Sequence, residues 1–216
     1  MNYDVVIVGG GIGGLMAAHR LTKECPEKSV CVIDRGRALS KRKCPVATHV
    51  TESCIKCKQC AIMEGIGGAG AFSDGKFNIT TEYGGWLQDY IGEKQTIDYI
   101  NQVSDILDEF GATEKTYSPS DEIKLECLKH DLYLLQATVK HLGTDGNYRV
   151  MSALMDYLEK HVTVITETAV VDVNIAENYV TTDKGDGIGY SDLMIAIGNY
   201  FTEMNFFFFL QGVGRG

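Results

Sequence analysis

Val5-Val6-Ile7-Val8-Gly9-Gly10-Gly11-Ile12-Gly13-Gly14 is a short apolar run that ends in a glycine cluster, and its reading decides the fold. Four consecutive apolar residues closed by glycine suit a strand buried on both faces. Leu15, Ala18 and Leu21 then recur at helical spacing, which predicts a helix over residues 13–23, with Pro26 just past its end. Residues 30–33, Val-Cys-Val-Ile, read as a second buried strand closed by Asp34. Together they predict a βαβ unit at the start of the chain.

The hexapeptide Gly9-Gly10-Gly11-Ile12-Gly13-Gly14 satisfies G-x-G-x-x-G. Such a string arises by chance in many proteins, but here it follows a buried strand, opens a helix, and has an acid at the end of the next strand. Asp34 lies 20 residues past Gly14. Each position has a physical task. Gly9 permits the tight turn, Gly11 lets backbone approach a pyrophosphate, Gly14 allows close helix packing, and Gly13 stands in the helix N-terminus with its free N–H groups. Asp34 is suited to accept hydrogen bonds from ribose hydroxyls. The competing explanation is a glycine-rich turn that binds nothing.

The chain has 216 residues, 44% hydrophobic and 23% charged, enough to bury a substantial core. Its formal charge of −9 and the lack of a basic stripe exclude a general nucleic-acid binder, and Lys41-Arg42-Lys43 is the one basic run. No leader pattern precedes the first strand, and the apolar tail around Phe206 is too short for a bilayer, which needs roughly 20 residues. We therefore expect a cytoplasmic protein that partners neither nucleic acid nor membrane. The four-phenylalanine run of residues 206–209 suggests truncation, a shifted frame or a buried terminal strand.

Farther along, Ile97, Ile100, Val103, Leu107 and Phe110 predict an amphipathic helix stopped by Gly111. A helix through Ile123, Leu125 and Leu128, a strand at residues 132–135, and a helix over residues 148–160 follow. A strand at residues 162–165, a hairpin with Val171, Val173 and Ile175 on one side, and a strand at residues 193–197 complete the pattern. Four segments are expected: 1–93, the βαβ unit with its Gly/Cys-rich loop; 94–145, a helical insertion; 146–200, a return to the first domain; and 201–216, an atypical tail.

A second glycine cluster, residues 65–77, reads Gly-Ile-Gly-Gly-Ala-Gly-Ala-Phe-Ser-Asp-Gly-Lys-Phe. Gly70 to Lys76 formally matches a phosphate-binding G-x-x-x-x-G-K loop, but Phe77 replaces the hydroxyl residue that would hold Mg²⁺, and no buried strand leads in. The small residues Gly67, Gly68, Ala69 and Gly70 instead suit close backbone approach to a bound dinucleotide, with Ser73, Asp74 and Lys76 as polar groups near its reactive end. A tight loop with a solvated Asp-Gly-Lys turn is the alternative.

Seven cysteines in such a chain do not read as a disulfide framework. Cys54, Cys57 and Cys60 form C-x2-C-x2-C, and Cys44-Pro45 could supply a fourth thiolate. The candidates are a 4Fe-4S cluster, tetrahedral zinc, a thiol–disulfide pair and plain structural thiols. Cys25, Cys31 and Cys127 fall in regular elements. Among the histidines, His141, read as lying in a loop beside Leu142-Gly143-Thr144, is the best catalytic candidate.

The N-terminal fingerprint with Asp34-Arg35, and a later strand ending in Ala196-Ile197-Gly198, resemble the glutathione-reductase-like class of flavoproteins. The strings Cys44-Pro45, Cys54-Ile55-Lys56-Cys57-Lys58-Gln59-Cys60, Gly67-Gly-Ala-Gly-Ala-Phe-Ser-Asp-Gly-Lys76, Thr81-Glu-Tyr-Gly-Gly-Trp-Leu87 and His141-Leu142-Gly143-Thr144 are similar to a group of bacterial FAD-dependent, or NAD(FAD)-utilising, dehydrogenases. The resemblance runs from about Tyr3 to Gly198 and covers the N-terminal half of such proteins. It implies an α/β, Rossmann-like FAD-binding fold with a parallel sheet, a small antiparallel hairpin and an inserted helical segment. It also implies FAD as cofactor, NAD(P)H as a plausible electron donor, and a small-molecule substrate or electron carrier as partner. Gly9, Gly11, Gly13, Gly14, Asp34, Arg35, Gly67, Gly68, Ala69, Gly70, Ser73, Asp74, Val170, Ala196 and Gly198 would hold the cofactor, with Val170 beside the adenine. Lys76 and His141 would be catalytic.

Overall fold

In the computed structural model the first strand, β1 (Asn2–Val8), ends at the glycine cluster, and α1 (Ile12–Glu24) starts within it. Next come β2 (Val30–Ile33), β3 (Lys76–Ile79), α2 (Leu87–Ile91), α3 (Glu93–Glu109), β4 (Thr116–Tyr117) and α4 (Asp121–Lys129). The chain continues through β5 (Thr138–His141), α5 (Gly143–Leu158), β6 (Thr163–Ile165), β7 (Val170–Asn174), β8 (Tyr179–Thr182) and β9 (Gly187–Ile195). The structure describes residues 1–113 and 115–198, so the phenylalanine run lies outside the described residues.

Two compact units divide the chain: Met1–Ala71 with Met155–Gly216, and Phe72–Leu154. The boundaries thus fall after residues 71 and 154, whereas the sequence pattern suggested 93 and 145. The first unit holds a six-stranded sheet in the order β6-β2-β1-β9-β8-β7. Strands β6, β2, β1 and β9 run parallel, and β7 and β8 form an antiparallel hairpin at one edge. Val6, Ile7, Cys31 and Val32 are fully buried, as strands covered on both faces must be. The fold is α/β and Rossmann-like, with a parallel sheet and a small antiparallel hairpin at its edge.

In the hairpin, a register shift between Val170 and Asp172 changes which residues face inward. Val170 and Val173 are buried, while Val171 and Ile175 are more than half exposed, so the strict alternation expected there is broken. Helix α1 buries Leu15 and Ala18 completely, while Leu21 is only partly covered.

The second unit contains an antiparallel sheet in the order β3-β5-β4, which no periodicity in the sequence announced. The expected strand at residues 132–135 is absent: Leu132, Tyr133 and Leu135 are exposed loop residues, and the pairing strand β5 begins at Thr138. Helix α3 ends at Glu109, near Gly111, which adopts φ 90°, and it buries Leu107 but leaves Val103 at 37% exposure. Lys140 and Asp108 form a half-buried ion pair that ties β5 to α3.

Replacement of Leu15 by alanine removes a fully buried side chain from the covering of the parallel sheet. Urea unfolding followed by circular dichroism should show a loss of about 3 kcal/mol, the middle of the range for such truncations.

Candidate functional site: a glycine-walled crevice

The crevice forms at the carboxyl ends of β1, β2 and β9, where the parallel order changes direction about β1. Open α/β sheets place ligands at such a switch point. Three backbone hydrogen bonds set its floor. The Gly9 N–H donates to the Ile33 carbonyl (2.8 Å), the Asp34 N–H to Ile165 (2.8 Å), and the Ala196 N–H to Val8 (2.7 Å). At Gly9, φ is 109° and a side chain would lie 2.4 Å from the Ala196 carbonyl oxygen; at Gly14 one would lie 2.0 Å from the Gly9 oxygen. Only glycine fits at either position, so both serve the fold, and Gly14 does not line the crevice.

Gly11, Gly13 and Gly70 differ: a methyl group built on any of them meets nothing within 4 Å, and all three line a cavity of about 780 Å³. The missing side chains leave room for a ligand. Helix α1 starts here with Gly11 at its cap, no side-chain acceptor on its first N–H groups and no acid in its first turn. A helix start of that kind offers donors and positive potential to an anion. Gly9, Asp34, Arg35, Gly67, Gly68, Ala69, Val170, Ala196 and Gly198 line the same cavity.

Asp34 is 9% exposed, and each carboxylate oxygen accepts one backbone N–H at 2.7 Å, from Gly10 and from Gly36. A carboxylate has about four lone-pair sites, so capacity for hydroxyl donors remains. The second glycine cluster joins the first directly, because the Gly67 N–H donates to the Gly10 carbonyl at 2.7 Å. Sequence reasoning missed Met63 and Glu64, which also line the cavity, as do Gly65, Thr168 and Ile197. It also passed over Arg42, which is 4% exposed while Lys41 and Lys43 are exposed.

Ser73, Asp74, Lys76 and His141 are not among the lining residues and belong to the second unit. His141 is not a loop residue: it closes β5 directly opposite Lys76 at the start of β3. Asp74 pairs with the Lys76 ammonium at 2.8 Å and lies 3.9 Å from the His141 ring nitrogen. The hydrogen bond from Lys76 holds the Asp74 carboxyl below its ordinary value, with smaller help from the charges of Lys76 and His141. The Ser73 hydroxyl accepts from the Gly75 N–H at 3.2 Å, a local turn contact. Lys76 opens a strand, not the helix that follows a phosphate-binding P-loop.

The cysteines do not assemble as the C-x2-C-x2-C spacing allowed. Among the described residues, no three His, Cys, Asp or Glu side chains are grouped so as to hold a metal ion. Cys54 and Cys57 are exposed, Cys44 and Cys60 half-buried, and all are free thiols. Lys56 between them takes φ 51°, an irregular loop conformation. Cys31 is a core residue: burial pushes its thiol up to about 12, so it stays protonated.

Fold and crevice together match the dinucleotide-binding type of open α/β domain. A family model described as pyridine nucleotide-disulphide oxidoreductase matches residues 3–212, and the chain belongs to that family. No curated protein matches it. Among solved structures, glycine oxidase from Geobacillus kaustophilus is 15% identical, with a TM-score of 0.54 over 92% of this chain and 56% of that one. Glycine oxidase from Bacillus cereus is 16% identical, with a TM-score of 0.53 over 95% and 58%. The 3-ketosteroid-delta4-(5alpha)-dehydrogenase from Rhodococcus jostii RHA1 is 15% identical, with a TM-score of 0.52 over 90% and 45%. At such identities the likeness establishes the fold. The chain spans about half the length of these structures. Among the described residues, no helix is long and apolar enough to cross a membrane.

Substitution of Lys76 by methionine removes the main cause of the depressed Asp74 carboxyl. Carbon-detected NMR titration should show Asp74 moving up toward its ordinary value; an unmoved titration would mean that the pair does not form in solution.

Proposed function

We propose that this chain is the FAD-binding part of a flavin-dependent oxidoreductase acting on a small-molecule substrate or electron carrier. The observation that carries this is the cavity of about 780 Å³ at the sheet's switch point, open where Gly11, Gly13 and Gly70 lack side chains. Ligand pockets typically enclose about 300–1,000 Å³. Family membership supports the redox class, and fold neighbours that are by name oxidases and a dehydrogenase accord with it.

FAD, when bound, would supply two-electron redox chemistry through its flavin ring. The first N–H groups of α1 would hold its pyrophosphate, and Asp34 would accept ribose hydroxyls with its remaining lone pairs. Val170 would lie beside the adenine, with Arg35 at the same end, and Gly67 and Gly68 would bring backbone close to the cofactor. We further propose NAD(P)H as electron donor, with Lys76 and His141 as the catalytic groups beside Asp74. Ser73 would supply a further polar group. A cytoplasmic setting fits this chemistry.

Titration of the purified chain with FAD, followed by flavin fluorescence and visible absorbance, tests the proposal. Stoichiometric uptake is expected, and anaerobic addition of NADH or NADPH should bleach the visible bands. Gly11→Val fills space that no protein atom occupies, so it should weaken FAD at least about tenfold with an unchanged unfolding midpoint. Failure of the parent chain to take up FAD would overturn the assignment.

A further inference from the structure

Residues 61–68 form a run of turns and bends without regular structure, yet Met63, Glu64, Gly65, Gly67 and Gly68 wall the cavity. Such a segment has no ladder partners for its carbonyls, and buried carbonyls need donors. One side chain reaches five of these carbonyls, although those of Gly65 and Gly68 also accept the Gly68 and Ala71 N–H groups, at 2.8 and 3.4 Å. Arg42 donates from Nε to the Ala61 carbonyl (3.0 Å) and from Nη2 to Ile62 (2.8 Å). Its Nη1 reaches Ile66 (2.6 Å), Gly68 (2.8 Å) and, at longer range, Gly65 (3.4 Å). The carbonyls converge because Gly65, Gly67 and Gly68 all take positive φ, at 111°, 86° and 61°.

We infer that Arg42 is a positioning residue for the cofactor crevice, holding residues 61–68 in the shape that presents Gly67 and Gly68 to the dinucleotide. The inference rests on the FAD proposal above. Arg42 does not itself line the cavity, so it acts through the groups it holds and not by touching the ligand. Three features make the assignment specific. The guanidinium has five N–H donors in a fixed fork and no acceptor, matching a set of carbonyls, whereas an ammonium has three donors. The Arg42 Cδ would lie 3.0 Å from a side chain at Gly65, so stem and loop are fitted to each other. The loop is also joined to the first glycine cluster by the Gly67 to Gly10 hydrogen bond, so a displacement of it moves the crevice wall.

The test uses the full chain carrying Arg42→Lys or Arg42→Ala. Hydrogen exchange without FAD should speed up at amides of residues 61–68 in both variants, while β1, β2 and β9 keep their protection. FAD should bind about tenfold to a hundredfold more weakly, the range seen when supports behind a metal's ligands are removed. The bound flavin's visible fine structure should blur. Low-millimolar guanidinium should restore affinity and spectrum to Arg42→Ala and leave Arg42→Lys unchanged, a response that a general packing defect would not give. Parental affinity and spectrum in Arg42→Lys would overturn the inference, as would exchange that rises equally across the sheet. If the parent takes up no FAD, the flavin assignment fails, and with it the link to the cofactor. The exchange measurement then still decides whether Arg42 shapes residues 61–68, and unchanged exchange there would overturn that part too.

Discussion

Where α1 leaves β1, backbone lies directly against backbone: the Gly9 carbonyl occupies the space that a side chain at Gly14 would need. That contact sets how closely the helix can start above the sheet. Leu15 and Ala18 are then carried down to full burial, and the first helical N–H groups are turned toward the crevice. The same Gly9 lies against the Ala196 backbone, so β9 can pair with β1 along its length up to Ile195. A bulkier residue at either glycine would separate helix from sheet, or β9 from β1, and the crevice exists only where all three meet.

Around this contact, two buried charges of opposite sign do what regular secondary structure does elsewhere. Asp34 accepts N–H groups from Gly10 and Gly36, and Arg42 donates to carbonyls of the facing turn-rich segment. Burial pushes the Arg42 guanidinium down, and the nearby Asp34 and Cys60 oppose that shift. Glycine-rich backbone cannot pair with itself in a sheet and still leave room for a ligand. The two side chains resolve the conflict by ordering the loops, Asp34 from the cavity wall and Arg42 from outside its lining.

Much of the first unit was legible in the sequence because its signals are local. An apolar run, a glycine cluster, helical spacing and an acid after the next run each act within a few residues, and β1, α1, β2 and Asp34 lie where those signals put them. The second unit was less so. Strands β3, β4 and β5 are short and half-exposed, and their pairing joins residues far apart in the chain, so no periodicity marks them. Arg42 was hidden by its neighbours, since a run of three basic residues looks like solvated surface until one of them is buried. The C-x2-C-x2-C spacing suggested convergence that the loop does not provide, because spacing constrains reach and not direction. The hairpin's alternation failed at its register shift, which a pattern of hydrophobicity does not encode.

Cys31 gives the molecule a built-in clock. Its thiol is fully buried in a central strand and held protonated, while Cys54 and Cys57 are open to solvent. Among these three sulfurs, an alkylating reagent therefore meets Cys54 and Cys57 directly and reaches Cys31 only when β2 opens, with the half-buried Cys25, Cys44, Cys60 and Cys127 between these extremes. Mass spectrometry that counts labels over time would report the lifetime of the parallel sheet without added dye, tag or mutation.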